Sequence, residues 1–207
     1  GAGANVLAVL ALMAALTMLY GNLAALPQDN FKRLLAYSSI GHAGYLFYAL
    51  LGDGEGRWQA IVFYVIAYGL MNLLAFAALP RGADDERQDR LDALKGLYRR
   101  RPFAAVMIAL AMLSLAGLPP LPGFVAKFLV FKNVLAAGHT LYAVAGLVAS
   151  YLGIYFYLRV IQYMFMAEQD PAAAHGSPRR YAVAASLLCL VPAALLMFFP
   201  GWLLERL

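Results

Sequence analysis

The feature that most constrains this chain is a long apolar run, 102–137, that is broken in its middle and carries a lysine, Lys127. As one straight α-helix the run would be about 54 Å long, whereas the hydrocarbon core of a bilayer is about 30 Å thick. The break contains three prolines and two glycines: Gly117, Pro119, Pro120, Pro122 and Gly123. The run therefore predicts two half-helices joined by a non-helical segment near Gly117–Gly123.

The rest of the chain is as apolar as this run. Hydrophobic residues make up 63% of the 207 residues and charged residues 13%, against roughly a quarter charged in ordinary soluble domains. The charges cluster between apolar runs of about 20 residues, the length of a membrane-crossing helix. We predict an all-α membrane protein, one transmembrane domain over 1–207, with about six spans at 4–26, 31–51, 58–79, 102–137 (discontinuous), 140–166 and 181–204.

The basic residues predict an orientation. With six crossings, one side of the membrane receives Lys32, Arg33, the cluster within 81–101, Arg179 and Arg180, and the other receives Arg57 and Arg206. Because positively charged loops stay in the cytoplasm, we expect the basic loops to be cytoplasmic and both ends of this chain to be periplasmic.

The loop 81–101 has an amphipathic pattern. Leu91, Leu94, Leu97 and Tyr98 recur at helical spacing among charges, and Asp84 or Asp85 could cap the start. We predict a short amphipathic helix on the cytoplasmic surface. A docking surface for a partner subunit is the alternative.

Several other classes of function are disfavoured. The net charge of +5 does not indicate nucleic-acid binding, because the aromatic residues lie in apolar runs and not among the arginines. The single cysteine, Cys189, reads as a buried thiol, and neither a metal-ligand spacing nor a Gly-rich phosphate cradle is present, so we expect no metal or cofactor in this chain. The first residues resemble no signal peptide and include no initiator Met, so we expect the chain to begin partway through a longer protein.

Lys127 is the main candidate for chemistry. A lysine at this depth costs at least about 2.5–3.5 kcal/mol, and burial favours its uncharged form, so a proton can leave. A broken helix also frees backbone carbonyls and admits water. The alternative is a lysine that extends to the membrane surface, but Lys127 lies about 15 Å from the end of its run, beyond comfortable reach. For Lys132, nearer the boundary, surface extension is expected.

The second span carries two further candidates. Lys32 and Arg33 open it, and such a pair anchors a helix at the membrane surface or, for Lys32, takes up protons. His42 lies about 15 Å deeper. Its titration range suits a proton relay, although a neutral hydrogen bond between helices is the alternative.

The third span has a polar stripe, since Tyr64, Tyr68 and Asn72 recur four residues apart. Such a stripe lines a water chain or joins helices through hydrogen bonds. Arg159, near the end of the fifth span, is expected to be an anchor. No span contains an acidic residue, so we expect any carboxylate that modulates a lysine relay to come from outside these residues.

Several motifs, in this order along the chain, resemble the antiporter-like membrane subunits of respiratory complex I, NADH:quinone oxidoreductase, and among them the N type. The motifs are Asp29-Asn-Phe-Lys-Arg-Leu-Leu-Ala-Tyr-Ser-Ser-Ile40, His42-Ala-Gly-Tyr45, Arg99-Arg-Arg-Pro102, Leu113-Ser-Leu-Ala-Gly-Leu-Pro-Pro120, Gly123-Phe-Val-Ala-Lys127-Phe and Tyr155-Phe-Tyr-Leu-Arg-Val160. The resemblance implies a fourteen-helix fold of two inverted repeats, of which this chain is the C-terminal portion, its last six spans.

The resemblance also implies residue roles. Lys127 is similar to the lysine of the family's discontinuous helix, the outward-side proton site. Tyr64 and Tyr68 stand where sibling subunits and related antiporters carry histidines, which favours the N type. The family's other half-channel uses a glutamate and a lysine pair in the N-terminal half, which is missing here.

The function implied is that of a non-redox, proton-translocating subunit of an enzyme complex in the bacterial cell inner membrane. It would couple quinone reduction to proton pumping and contact the bilayer, the missing N-terminal half and other membrane subunits. Flavin and iron–sulfur clusters are expected in partner subunits, with quinone as the substrate of the complex. Two alternatives stay open: a subunit of a multi-subunit cation/proton antiporter, and a purely structural membrane half.

Overall fold

The computed structural model describes residues 2–80, 89–166 and 180–206, and within these ranges the chain is helical without a strand. The elements are α1 (Ala2–Ala25), α2 (Phe31–Ala49), α3 (Gly54–Ala78), a 3-10 helix (Leu91–Leu94), α4 (Leu97–Arg100), α5 (Pro102–Ala116), α6 (Pro122–Ala136), α7 (Thr140–Phe165), α8 (Arg180–Phe198) and α9 (Pro200–Leu204).

Four of these helices are long and apolar enough to cross a bilayer: Asn5–Ala25, Gly54–Ala78, Thr140–Phe165 and Arg180–Phe198. In contrast, α5 and α6 have 15 residues each, about 22 Å per half-helix, too short to cross alone. The fold class is as predicted: an all-α membrane protein with a discontinuous helix formed by α5 and α6.

The break between α5 and α6 is built by specific residues. Gly117 adopts a left-handed conformation, φ 86°, and its N–H donates to the Ser114 carbonyl at 2.9 Å while the Leu118 N–H donates to the Leu113 carbonyl at 3.1 Å. This pair of bonds is a Schellman motif, which ends a helix. Pro122 then occupies the first position of α6, where its missing N–H removes no helical hydrogen bond.

The two half-helices cross closely because of a second glycine. The Gly123 N–H donates to the Ser114 hydroxyl at 3.0 Å. A Cβ at Gly123 would overlap the Ser114 backbone carbonyl. The start of α6 can therefore touch the end of α5 only without a side chain at this position.

The predicted single amphipathic helix within 81–101 is wrong for its described part. The structure has two short pieces, Leu91–Leu94 and Leu97–Arg100. Between them Gly96 takes the left-handed conformation, φ 62°, which interrupts a helix. Leu91, Leu94 and Leu97 are buried and Tyr98 is exposed. The possible caps Asp84 and Asp85 lie outside the described residues.

This segment closes the basic end of the bundle. The Phe31 N–H donates to the Asp89 carbonyl at 2.6 Å, and the Leu91 N–H donates to the Asp29 carbonyl at 2.8 Å. The Gly96 N–H donates to the Tyr163 carbonyl of α7 at 3.1 Å. The three leucines belong to an apolar cluster that also contains Phe31, Leu34, Leu35, Leu74 and Ile108.

Two span boundaries differ from prediction. Helix α3 begins at Gly54 and not near 58, so Glu55 lies in its first turn, where the helix dipole favours an acidic residue. The last span does not continue as one helix to 204, because α8 ends at Phe198 and α9 begins at Pro200. Proline has no N–H for the helical bond and disfavours helical geometry in the residue before it.

Candidate functional site

Lys127, on α6, is buried in the described structure, with 8% of its surface exposed. Its ammonium donates to the carbonyl of Ala116, the last residue of α5, at 3.0 Å. It also donates to the Ser150 hydroxyl of α7 at 3.3 Å. The side chain therefore points into the helix break and does not extend to the membrane surface.

The break suits a cation. Because the Schellman motif uses the carbonyls of Leu113 and Ser114, the carbonyl of Ala116 is left to accept from Lys127. The C-terminal end of α5 is also the negative end of its helix dipole. On another side, the ring of Tyr45 lies 5.0 Å from the ammonium nitrogen, within cation–π range.

Neutral groups hold this ammonium. Among the described residues no carboxylate pairs with Lys127, and the ion pairs recorded there, Lys32–Asp89, Arg90–Asp92 and Lys95–Asp92, lie at the basic end. The charge at Lys127 is therefore stabilised by a carbonyl, a hydroxyl and an aromatic face. With no fixed counter-ion among those contacts, the balance between ammonium and amine depends on small changes in the surroundings.

A second polar cluster surrounds His42 on α2. Its Nδ1 lies 2.7 Å from the Tyr64 hydroxyl, and its Nε2 lies 3.0 Å from the Tyr157 hydroxyl. Tyr157 also contacts the hydroxyl of Ser38. The cluster thus joins α2, α3 and α7 through groups that both donate and accept hydrogen bonds.

Tyr68 extends this cluster. Its ring lies 4.5 Å from that of His42, centroid to centroid, and its hydroxyl donates to Ser39 at 2.7 Å. The stripe ends there, because Asn72 donates to the Tyr68 carbonyl of its own helix at 3.0 Å.

Tyr45 connects the Lys127 site to the His42 cluster. Its ring centroid is 5.8 Å from that of His42 and 5.9 Å from that of Tyr64. Beside these groups a cavity of about 10 Å³ is lined by His42, Tyr64, Ala67, Tyr68, Met71, Ser114, Leu115, Gly123 and Ala126. That volume is just sufficient for one water molecule.

The structure brings four of the five predicted proton-path residues together. Lys127, His42, Tyr64 and Tyr68 form one connected region, as the contacts above describe. Lys32 is not part of it: its side chain is 48% exposed and its ammonium lies 2.7 Å from an Asp89 carboxylate oxygen. The buried residues Leu34 and Leu35 follow it on α2 before Ser38.

Three other residues lie where the sequence indicated. Arg159 is partly buried and donates to the Gln28 carbonyl in the α1–α2 connection, which suits an anchor. Lys132 is exposed and Cys189 is buried.

Sequence reasoning missed Tyr45, Ser150 and Tyr157. Tyr45 follows His42 by three residues and so shares its helix face, which was a usable signal. Ser150 and Tyr157 are seven residues apart on α7, again one face. Hydroxyls are common in apolar helices, so only the long-range packing distinguishes these two from their neighbours.

Several known proteins are similar to this chain in sequence and in fold. The family described as NADH:quinone oxidoreductase/Mrp antiporter, TM, matches residues 2–153. The NADH-quinone oxidoreductase subunit N of Pelobacter propionicus is 42% identical over 195 residues, covering 93% of this chain and 42% of that protein. The subunit N of Geobacter metallireducens is 45% identical over 189 residues, with 91% and 40% covered.

Solved structures show the same relationship. A chain of respiratory complex I from Thermus thermophilus with bound aureothin matches with a TM-score of 0.81 and 42% identity, covering 95% of this chain and 44% of that one. A chain of the Mrp complex from Dietzia matches with a TM-score of 0.79 and 25% identity, with 96% and 45% covered. The chain spans about two-fifths of the length of the curated relatives it matches. By sequence and by fold, it belongs to the NADH:quinone oxidoreductase/Mrp antiporter transmembrane family.

Proposed function

We propose that this chain is part of a proton-translocating membrane subunit of an NADH:quinone oxidoreductase and that Lys127 is its proton site. The single observation that carries the proposal is the contact set of Lys127: a buried ammonium, without a described counter-ion, at the end of a broken helix. A purely structural role would not need a charge at this depth, because an apolar side chain of similar size fills such a space at lower cost.

In this mechanism Lys127 takes up and releases protons beside the His42 cluster. The hydroxyls of Tyr64, Tyr157 and Ser38 and the imidazole of His42 are in hydrogen-bond contact. Each of these groups can accept one proton while giving up another. A shift of charge in a neighbouring subunit would then favour the amine form of Lys127 and release its proton outward.

We infer the surroundings of the chain from its family membership. Electron transfer takes place in partner subunits that hold flavin and iron–sulfur clusters, with quinone as the substrate of the complex and no redox cofactor here. The chain contacts the bilayer, other membrane subunits and the N-terminal half of the subunit. It lies in a bacterial inner membrane with the basic loops in the cytoplasm and both ends of this chain in the periplasm.

The test is Lys127→Ala in the intact complex, reconstituted in vesicles. We expect quinone reduction to continue and the number of protons moved per electron to fall. Lys132→Ala is the matched control, since Lys132 lies on the same helix but is exposed, and it should pump as the wild type does. Undiminished pumping by Lys127→Ala would refute the proposal.

A second candidate is a subunit of a multi-subunit cation/proton antiporter driven by ion gradients. The resemblance to a chain of the Mrp complex favours it, at 25% identity, but the identity to subunits N is 42–45% in the two relatives above. Co-purification separates the two. Flavin and iron–sulfur proteins among the partners support the oxidoreductase, and small membrane subunits alone support the antiporter.

A third candidate, a purely structural membrane half, makes the opposite prediction for Lys127. Under it, Lys127→Leu removes a buried charge and should be tolerated or stabilising. Under our proposal the same variant assembles but moves fewer protons per electron, as Lys127→Ala does.

A further inference from the structure

We propose that Tyr45 is the positioning residue of the proton site: its ring face stabilises the ammonium form of Lys127, and its hydroxyl keeps Ser150 against the same ammonium. The inference rests on the proposed function and deepens it, since it names the side chain that sets how tightly Lys127 holds its proton.

The placement of Tyr45 supports this role. The residue is 2% exposed, and the Lys127 nitrogen lies 5.0 Å from its ring centroid. Its ring packs against Tyr64 and against Phe131, at centroid distances of 5.9 and 6.2 Å. These neighbours fix the plane of the ring, so the ring face is held toward the ammonium.

The hydroxyl end of Tyr45 has its own partners. It interacts with Ser150 and Asn22, and the Asn22 amide donates to the Ala149 carbonyl at 3.0 Å. Ser150 in turn accepts from Lys127 at 3.3 Å. Tyr45 therefore acts on the ammonium directly through its ring and indirectly through the Ser150 hydroxyl.

The other side chains around Lys127 increase the importance of its contact with the Tyr45 ring. Among the described residues, the titratable groups next to Lys127 are Tyr45 and His42 of α2. Tyr64 and Tyr68 of α3 and Tyr157 of α7 surround His42. The described residues of α1 and α5 include no acidic or basic side chain, and α8 carries one only at Arg180, its first residue. With no acid facing it from those helices, the ammonium depends on the ring more than a surface lysine would, and a desolvated cation–π contact is a strong one.

The experiment compares pH profiles of proton pumping in the reconstituted complex. In Tyr45→Leu the ammonium loses its aromatic face, so we expect pumping to fail at a pH about one unit lower, corresponding to about a tenfold weaker hold on the proton. Tyr45→Phe keeps the ring and loses the hydroxyl, so its shift should be smaller.

Tyr48→Leu is the matched control. Tyr48 lies three residues further along α2, is buried as Tyr45 is and packs against the same Phe131 at 6.4 Å. Its hydroxyl donates to the Tyr142 carbonyl, and the ring that lies against the Lys127 ammonium is that of Tyr45. Loss of Tyr48 should leave the pH profile unchanged. A profile in Tyr45→Leu identical to that in Tyr48→Leu would overturn the inference.

If Tyr45→Leu does not assemble, the test uses phenylalanine with one, two or three ring fluorines at position 45. Fluorine reduces the negative potential of the ring face, which attracts the ammonium, while nearly preserving the shape of the ring. We expect the profile to move to lower pH with each added fluorine, and a profile that ignores fluorination would contradict the role of the ring. If pumping falls in Lys127→Ala but the pH profile does not respond to substitutions at Tyr45, this inference alone is overturned. Normal pumping in Lys127→Ala would instead overturn the proposed function.

Discussion

Lys32 of α2 and Lys127 of α6 are both lysines of membrane-associated helices, yet different chemistry holds their ammonium groups. Lys32 is half exposed and pairs with Asp89 at 2.7 Å. Lys127 is buried, and its contacts are the Ala116 carbonyl, the Ser150 hydroxyl and the Tyr45 ring. Near water, a carboxylate partner keeps much of its hydration. Inside the bundle, burying a carboxylate beside Lys127 would add the free energy of desolvating a second charge.

If Lys127 is the proton site proposed above, the comparison explains why Lys32 is not a second one. A close carboxylate favours the charged form of a lysine and keeps its proton bound. Neutral dipoles favour the same form less strongly, so a moderate change in the surroundings can reverse the balance. The buried residues Leu34 and Leu35 also separate Lys32 from Ser38 and the His42 cluster along α2.

The largest effect should come from the glycine at which the half-helices cross. Gly123→Ala would place a Cβ on the Ser114 carbonyl, which belongs to the backbone and cannot rotate away. We expect the free energy of unfolding to fall by about 3 kcal/mol, the upper range for overpacking. Little complex should assemble, and its melting temperature should be lower. Normal assembly of Gly123→Ala would show that the crossing is looser than described.

A smaller effect is expected at Gly117, which has φ 86°. Gly117→Ala costs about 1–2 kcal/mol through left-handed strain, and its Cβ would also lie 2.8 Å from the Lys127 Cδ. Pumping per electron should therefore fall together with the melting temperature.

Gly138 offers a matched control for that experiment. It also has a positive φ, 82°, but a Cβ there would meet no atom within 4 Å. Gly138→Ala should lower stability by a similar amount and leave pumping intact. Equal pumping by the two variants would show that the position of Lys127 does not depend on Gly117.

The pair at the basic end should matter much less. A double-mutant cycle of Lys32→Ala and Asp89→Ala should give a coupling of about 0.2–1 kcal/mol, weaker at high salt, because the pair is partly exposed. Pumping should change little in either variant. A loss of pumping in Lys32→Ala comparable to that in Lys127→Ala would restore Lys32 to the proton path.

The smallest effect concerns pH at the same end. The hydrogen bond from Lys95 lowers the pKa of Asp92 below its usual value, with Arg90 contributing. Since the folded pKa is depressed, this contact stabilises the segment above the usual carboxyl pKa of about 3.9, and the stabilisation is lost as the pH falls through the lower, folded value. Hydrogen exchange of Leu91–Leu94 should therefore quicken only in strong acid, and Asp92→Asn should remove that dependence.

The sequence was sufficient to predict the helix break and the burial of Lys127, because prolines and glycines act locally and Lys127 lies deep in an apolar run. It was also sufficient to place His42 in the second span and to predict that Tyr64 and Tyr68 share one face of the third. The single helix across 81–101 was wrong because Gly96, one residue within a regular leucine pattern, takes a left-handed conformation. Periodicity does not reveal such a conformation.

The partners of Lys127 could not be predicted in the same way. Ala116 is 11 residues away and contributes only its backbone carbonyl, and Ser150 is 23 residues away on another helix. Both contacts follow from how α5, α6 and α7 pack, which no local pattern encodes. The expected carboxylate partner remains a prediction about residues outside this chain.

The most direct test of the central claim is Lys127→Arg in the intact complex, with Lys132→Arg as its control. Arginine retains a positive charge and hydrogen-bond donors but does not release its proton at physiological pH. If Lys127 exchanges protons, quinone reduction will continue while protons pumped per electron fall as far as in Lys127→Ala. Pumping at the wild-type ratio in Lys127→Arg would show that only the charge is needed, and the account of Lys127 as a proton site would be wrong.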